Sequence, residues 1–132
     1  MKESTELREL TLHFYRSMAE GDVAAVERLI SPEALAIGTD PEEWLRGQAL
    51  IDAWRAQMDA LGGRLPFLPG DPEAFEEGTV GWVADRPSFA LPGMGTIPFR
   101  LTMVFHREDG EWKAVQSHAS VAVPNEDLGQ TT

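Results

Sequence analysis

The hydrophobic periodicity of the chain changes once, and the change separates a helical first half from a strand-rich second half. Up to Gly62-Gly63 the apolar residues recur at spacings of three and four, which is typical of amphipathic helices. Beyond this pair the helical spacing disappears, and prolines and glycines separate short runs of strand-favouring residues. Helices followed by strands predict an α+β fold, in which a mostly antiparallel sheet packs on three helices.

The first two helices are predicted to form a tight hairpin. The first begins near Ser4 or Thr5, because Leu7, Leu10 and Phe14 start a stripe of apolar residues at three- and four-residue spacing. Gly21 is a typical C-terminal stop and Asp22 a typical N-cap, so a second helix begins directly afterwards. The short apolar segment 34–38 that follows is predicted to be the first strand.

A further helix start is predicted at the segment 40–43. Its sequence, Asp-Pro-Glu-Glu, combines an acidic N-cap, a proline at the first helical position and a glutamate three residues after the cap. We expect the helix that starts here to include Trp44 and Leu45. Beyond Gly47 the apolar residues keep helical spacing as far as Gly62-Gly63, which predicts a third long helix with a broad apolar face.

The two clearest strands, 99–106 and 111–123, flank Asp109-Gly110. This dipeptide is a strong hairpin signal because both central positions of the favoured turn need a positive φ. Alternation along each strand then predicts which side chains face the helices. On the first strand these are Phe99, Leu101, Met103 and Phe105, and on the last strand the small Ser117 and Ala119 leave room for a cavity. The opposite, outer face is predicted to carry Trp112, Gln116, His118 and Ser120 and to contact a second subunit.

Length and composition narrow the classes of function. The 132 residues predict a single domain. A formal net charge of -11 argues against binding to nucleic acid or to anionic membrane surfaces. Cysteine is absent, which excludes disulfides, thiolate catalysis and cysteine-based metal sites. No metal or cofactor is expected, and the lack of a secretory signal or long apolar run predicts a cytoplasmic protein.

Several segments together form a family pattern. They are Gly21-Asp22, Ile37-Gly38-Thr39-Asp40-Pro41, Glu43-Trp44 with Gly47, Arg100-Leu101-Thr102, Arg107-Glu108-Asp109-Gly110-Glu111-Trp112 and Ser117-His118-Ala119-Ser120. In these segments the chain resembles the SnoaL-like branch of the nuclear transport factor 2-like superfamily. The resemblance spans a domain core at about 5–123 and leaves 124–132 as a C-terminal tail. The resemblance implies a curved, cone-shaped sheet around three helices, a pocket in the cone and a homodimer packed through sheet faces. It leaves the activity open, because the superfamily includes isomerases, cyclases, dehydratases and assembly domains.

Three residues are candidates for catalysis, and each also has a structural interpretation. Asp40 lies near the region where related isomerases have a proton-transferring acid, but it equally fits a helix cap. Tyr15 flanks the apolar stripe of the first helix. Its hydroxyl either points into the pocket or is exposed to solvent while the ring packs at the edge of the core. His118 belongs to the best family motif, but alternation places it on the face expected to contact a second subunit.

The leading hypothesis is a homodimeric domain that binds or senses a small, mostly apolar molecule. The residues predicted to line its pocket are Trp44, Trp54, Met58, Leu101, Met103, Phe105, Ser117 and Ala119. Aromatic and methionine side chains at helical spacing also occur in ordinary cores, so a core role stays open for these residues. The alternatives are an enzyme with Asp40 as base and Tyr15 or His118 as proton donor, and an assembly module acting through the sheet face.

Overall fold

The computed structural model describes residues 1–129, which form an α+β arrangement. The helices are α1 (Thr5–Glu20), α2 (Val23–Leu29), α3 (Gln48–Ala60) and a short α4 (Asn125–Gly129). The strands are β1 (Lys2–Glu3), β2 (Ile30–Ile37), β3 (Trp44–Arg46), β4 (Phe67–Leu68), β5 (Glu73–Glu77), β6 (Val80–Asp85), β7 (Ser88–Leu91), β8 (Gly95–Pro98), β9 (Arg100–Glu108) and β10 (Glu111–Ser120).

The described strands form two sheets. The larger has seven strands in the order β1-β5-β6-β9-β10-β2-β3, and the smaller has three in the order β4-β7-β8. Every pair is antiparallel except β10 and β2, which run parallel. The prediction of a mostly antiparallel sheet is therefore confirmed, and the first-half strand β2 joins it beside the last strand of the second half.

The predicted helix ends are confirmed for the first hairpin. The Ser4 hydroxyl accepts a hydrogen bond from the backbone N–H of Leu7, and the Asp22 carboxylate accepts one from that of Ala25. Gly21 has a φ of 74° and ends α1 in the left-handed conformation, which favours glycine. A Cβ at Gly21 would lie 2.3 Å from the backbone oxygen of Gly63, so this residue also permits a close approach between chain segments.

The helix start predicted at 40–43 is wrong, although the local hydrogen bonds that suggested it are present. The backbone N–H of Asp40 donates to Glu43 Oε1 at 3.0 Å, and Asp40 Oδ1 accepts from the N–H of Glu42 at 2.9 Å. These bonds close a turn, after which Trp44 pairs with Ile37 in an antiparallel hairpin of β2 and β3. Strand pairing thus extends the chain where capping chemistry alone predicts a helix, and α3 begins only after Gly47.

A β-bulge in β10 changes the predicted faces of that strand. The register between β9 and β10 shifts between Ala114 and Gln116, so the side chains before the bulge point to the side opposite the one that simple alternation gives. Trp112 is consequently buried, with 6% of its surface exposed, in the same core cluster as Phe105. The assignment of Trp112 to an outer, subunit-contacting face is wrong. Gln116, which follows the bulge and pairs with Val104, is exposed.

The helices pack against the larger sheet through a dense core. Leu7 on α1 is fully buried, and a Cβ at Gly81 on β6 would lie only 2.2 Å from Leu7 Cδ1. The missing side chain at Gly81 is therefore what lets α1 approach the sheet. Helix α3 buries fewer residues than α1, namely Trp54 and Met58, which leaves space between this helix and the sheet.

Candidate functional site

The principal cavity lies between α3, the larger sheet and the β7–β8 hairpin, and its volume is about 410 Å³. The sheet contributes Leu101, Met103, Ser117 and Ala119 to its wall, while α3 contributes Leu50, Ala53, Trp54 and Gln57. The smaller sheet adds Phe67, Phe89, Leu91 and Ile97. Most of these side chains are apolar, so the cavity is suited to apolar rather than charged molecules.

Glu43 is the one ionisable side chain among the described residues that line this cavity. The turn described above holds its carboxylate, because Glu43 Oε1 accepts the hydrogen bond from the Asp40 backbone. A Cβ at Gly38 would lie 2.5 Å from Glu43 Oε2, so only glycine leaves room for the carboxylate at that position. The sequence pattern at 40–43 predicts a helix-capping role for Glu43 and contains no signal of its place in the cavity wall.

The structure places the eight residues predicted to line a pocket in different surroundings. Trp54, Leu101, Met103, Ser117 and Ala119 line the cavity. Trp44 does not, because it lies on the edge strand β3 with 64% of its surface exposed. Met58 and Phe105 are buried in the two core clusters and are not among the residues that line the cavity.

The three catalytic candidates are not brought together. Asp40 is exposed in the turn before β3 and does not line the cavity. His118 pairs with Thr102 on the outer face, opposite the side that Leu101 and Ala119 share. Tyr15 is buried, and its hydroxyl donates to Asp85 Oδ2 at 2.7 Å instead of pointing into the cavity. An acid–base pair built from these residues therefore does not form in the cavity of this structure.

The buried partner of Tyr15 was not identified from the sequence. Asp85 ends β6 and is buried, and its carboxylate also accepts hydrogen bonds from the backbone N–H groups of Gly70 and Arg86, at 3.2 and 2.7 Å. Burial, together with the hydrogen bond and negative charge of Asp85, raises the pKa of Tyr15 well above its ordinary value. The available signal was the alternation of side chains along a strand. Asp85 lies two positions after the apolar Val83, so both side chains point to the same, buried face.

The Tyr15–Asp85 pair supports one wall of the cavity. The Tyr15 ring packs edge-on against Phe67, with 5.8 Å between the ring centroids. Phe67 lines the cavity and also contacts Phe89, at 5.0 Å. On the other wall, Trp54 Nε1 donates to the sulfur of Met18 at 2.7 Å, which fixes the orientation of the indole.

Two further classes of site were tested against the described part of the chain. Among residues 1–129, no group of three or more histidine, aspartate or glutamate side chains is arranged to hold a metal ion. None of the described helices is long and apolar enough to cross a membrane.

Comparison with known proteins supplies the family context. The family model for SnoaL-like domains matches residues 7–124. No curated protein matches the chain. A protein of unknown function from Pseudomonas putida KT2440, described as nuclear transport factor 2-like, superimposes with a TM-score of 0.84 at 16% identity, covering 93% of this chain and 89% of the other.

Two more solved structures have the same fold. An uncharacterised protein with a cystatin-like fold from Caulobacter vibrioides gives a TM-score of 0.75 at 14% identity, covering 93% of this chain and 92% of the other. A proposed dehydratase of the nuclear transport factor 2-like family from Streptomyces avermitilis gives a TM-score of 0.77 at 18% identity, covering 90% and 95%. At these identities the likeness establishes the fold, cystatin-like and nuclear transport factor 2-like, and not the activity.

Proposed function

The chain belongs to the SnoaL-like domain family, and we propose that its cavity binds a small, mostly apolar molecule. The observation behind this proposal is the cavity of about 410 Å³, whose described lining has a single ionisable side chain, Glu43. Its volume lies within the range of about 300–1,000 Å³ that is typical of small-molecule sites. Burial of an apolar ligand against Trp54, Leu101 and Met103 supplies the affinity, and Glu43 offers a hydrogen-bond acceptor for one polar group.

Filling the cavity is expected to abolish ligand binding while the fold is kept. The probe is N-phenyl-1-naphthylamine, an uncharged apolar fluorophore whose emission rises in apolar surroundings. Wild-type protein is expected to bind it saturably, and Ala119→Trp is expected to weaken binding by at least about tenfold because the indole occupies the cavity. The matched control is Ala56→Trp, at an exposed position of α3 that does not line the cavity. Equal affinity of Ala119→Trp and wild type, or no saturable binding by wild type, contradicts the proposal.

The position of Glu43 favours a second function, proton transfer on a bound substrate. A carboxylate in an apolar wall can act as a general base, and such groups contribute about 10²–10⁴-fold to rates. The structural likeness to a proposed dehydratase fits this class of chemistry. Asp40, Tyr15 and His118 take no part in this version of the enzymatic hypothesis, because none of them lines the cavity.

The enzymatic alternative is tested with 3-cyclohexenone, a β,γ-unsaturated ketone that isomerises to a conjugated, ultraviolet-absorbing product. If Glu43 is a base, the wild-type protein accelerates the isomerisation, and Glu43→Gln reduces the rate by about 10²-fold or more. Glu42→Gln changes an exposed neighbouring carboxylate outside the cavity and is expected to keep the wild-type rate. A wild-type rate equal to that of buffer argues against ketone isomerisation and leaves ligand binding as the proposed function.

We also propose that the protein forms a homodimer through the outer face of the larger sheet. This face carries His118 and Ser120, which pair with Thr102 and Arg100 on β9. Gln116 pairs with Val104 at the edge of this face and also borders the principal cavity. The exposed tryptophan of the face is Trp82, with 37% of its surface accessible, which pairs with Val104. The exposed Val80 lies two positions away on the same face of β6, and aromatic side chains are enriched in contacts between subunits.

Val104→Glu is expected to convert the dimer to a monomer. The substitution places a buried carboxylate from each subunit in the proposed contact, which is strongly unfavourable. Sedimentation velocity measures the change in mass, and Val123→Glu, at an exposed position after β10, is the control. A monomeric wild type, or a dimer that survives Val104→Glu, overturns this assignment. A stable dimer that binds no apolar probe instead favours the assembly role.

A further inference from the structure

A second concavity, separate from the principal cavity, lies where α1, α2 and the β9–β10 hairpin meet. Its volume is about 390 Å³. The indole of Trp112 and the side chains of Leu10 and Leu29 give it an apolar floor. Leu29 contacts both concavities, whereas the polar residues of the two sites are entirely different. We call this second concavity the hairpin groove.

The charge of the hairpin groove is opposite to that of the molecule. The whole chain has 22 acidic side chains and 11 lysines and arginines, so its formal net charge is -11. The groove instead has three cationic side chains, Arg28, Arg107 and Lys113, and two acidic ones, Glu6 and Glu111, and His13 is also part of it. A local positive site on an acidic protein attracts small anions and is screened by salt.

Two of the three cations are already paired. Arg107 lies over the Trp112 ring, with its guanidinium carbon 4.3 Å from the ring centroid, and donates to Glu6 Oε1 at 3.1 Å. The same carboxylate oxygen accepts from Trp112 Nε1. Lys113 donates to the backbone oxygen of Arg28 and lies 3.5 Å from a carboxylate oxygen of Glu111. These contacts fix the walls of the groove.

The Arg28 guanidinium remains available. Within residues 1–129 its side chain has no hydrogen-bond or salt-bridge partner, and the same is true of the exposed His13 ring. Arg28 is exposed in the last turn of α2, and its own backbone carbonyl already accepts a hydrogen bond from the Lys113 ammonium group. An unpaired guanidinium beside an apolar floor matches a ligand that carries a carboxylate on an apolar body.

We propose that the hairpin groove binds a small organic carboxylate. The carboxylate pairs with the Arg28 guanidinium, with His13 as a second hydrogen-bond partner, and the apolar body lies against Trp112 and Leu10. This site does not depend on the function proposed for the principal cavity, because the polar side chains of the two sites differ and its ligand is an anion rather than an uncharged molecule.

The proposal is tested by nuclear magnetic resonance of the tryptophan indole N–H groups in uniformly labelled protein. Benzoate is the probe, with benzamide as its uncharged counterpart and acetate as a carboxylate without an apolar body. The Trp112 resonance is assigned from its absence in Trp112→Phe. Benzoate is expected to shift this resonance saturably, and benzamide and acetate are expected to have at least about tenfold lower affinity.

Two variants distinguish specific benzoate binding in the groove from a general effect of the protein's charge. Arg28→Gln is expected to weaken benzoate binding about tenfold, whereas Arg16→Gln, at an exposed position of α1 outside the groove, is expected to leave it unchanged. Equal shifts with benzamide, an unchanged affinity in Arg28→Gln, or no saturable shift overturn the proposal. A shift of the Trp54 resonance in place of Trp112 also overturns it, because that result locates binding in the principal cavity.

Discussion

Replacing Asp85 with alanine is expected to lower the free energy of unfolding by about 2–4 kcal/mol. The substitution leaves the buried hydroxyl of Tyr15 and the backbone N–H groups of Gly70 and Arg86 without their acceptor. Each unsatisfied buried group costs about 1–3 kcal/mol, and partial access of water to the two backbone groups reduces the sum. Urea denaturation followed by circular dichroism measures the loss.

Two control substitutions isolate the hydrogen bonds of Asp85. Asp85→Asn keeps one oxygen acceptor in place and is expected to lose less than Asp85→Ala. Asp71→Ala removes an exposed carboxylate whose ion pair with Arg8 contributes about 0–1 kcal/mol at most. Because Tyr15 packs against the cavity residue Phe67, Asp85→Ala is also expected to weaken binding of N-phenyl-1-naphthylamine. Equal losses of stability for Asp85→Ala and Asp71→Ala would show that the buried bonds do not stabilise the fold.

The protein is expected to lose stability as the pH rises above about 10, the ordinary pKa of tyrosine. In the unfolded chain Tyr15 releases its proton near this pH, but in the folded chain burial and Asp85 keep it protonated to higher pH. Between those two pKa values the folded state binds one proton more, so the free energy of unfolding falls by about 1.4 kcal/mol per pH unit. The contribution is fully present below pH 10, which is the direction expected for a group with a raised pKa.

Tyr15 is the only tyrosine in the sequence, so the phenolate absorption band reports this residue alone. The band is expected to appear together with unfolding, and not before it, as the pH is raised. Tyr15→Phe removes the ionisable hydroxyl group. The free energy of unfolding of this variant is therefore expected to fall less steeply above pH 10. Phenolate absorption that rises near pH 10 while the protein stays folded would contradict the prediction.

Local sequence determined the ends of the first helix hairpin and the turn between β9 and β10. Ser4, Gly21 and Asp22 end and begin helices because their own side chains or backbone freedom satisfy the adjacent N–H and C=O groups. The Asp109-Gly110 turn has φ values of 53° and 81°, as its residue types predict. Such features depend on neighbours a few residues away, and the sequence contains all of those neighbours.

The errors in the site share one physical cause, which is the pairing and register of neighbouring strands. A single extra residue in β10, accommodated as a bulge, moved Trp112 from the predicted outer face into the core. Pairing of β3 with β2 overrode a capping pattern and brought Glu43 into the cavity wall. Asp109-Gly110 signals the turn between β9 and β10, but not the bulge that shifts their register. The capping pattern before β3 favours a helix where the chain forms a strand.

The sequence alone therefore established the α+β class and the family resemblance, since periodicity and motif are local properties. The tertiary structure decided which polar groups meet. Asp85 accepts a hydrogen bond from Tyr15, seventy positions away in the chain. Arg28 has no side-chain partner among the described residues and lies in the hairpin groove, whose apolar floor includes Trp112. Contacts between distant segments depend on the packing of whole elements, and that packing decides where this protein can bind a ligand.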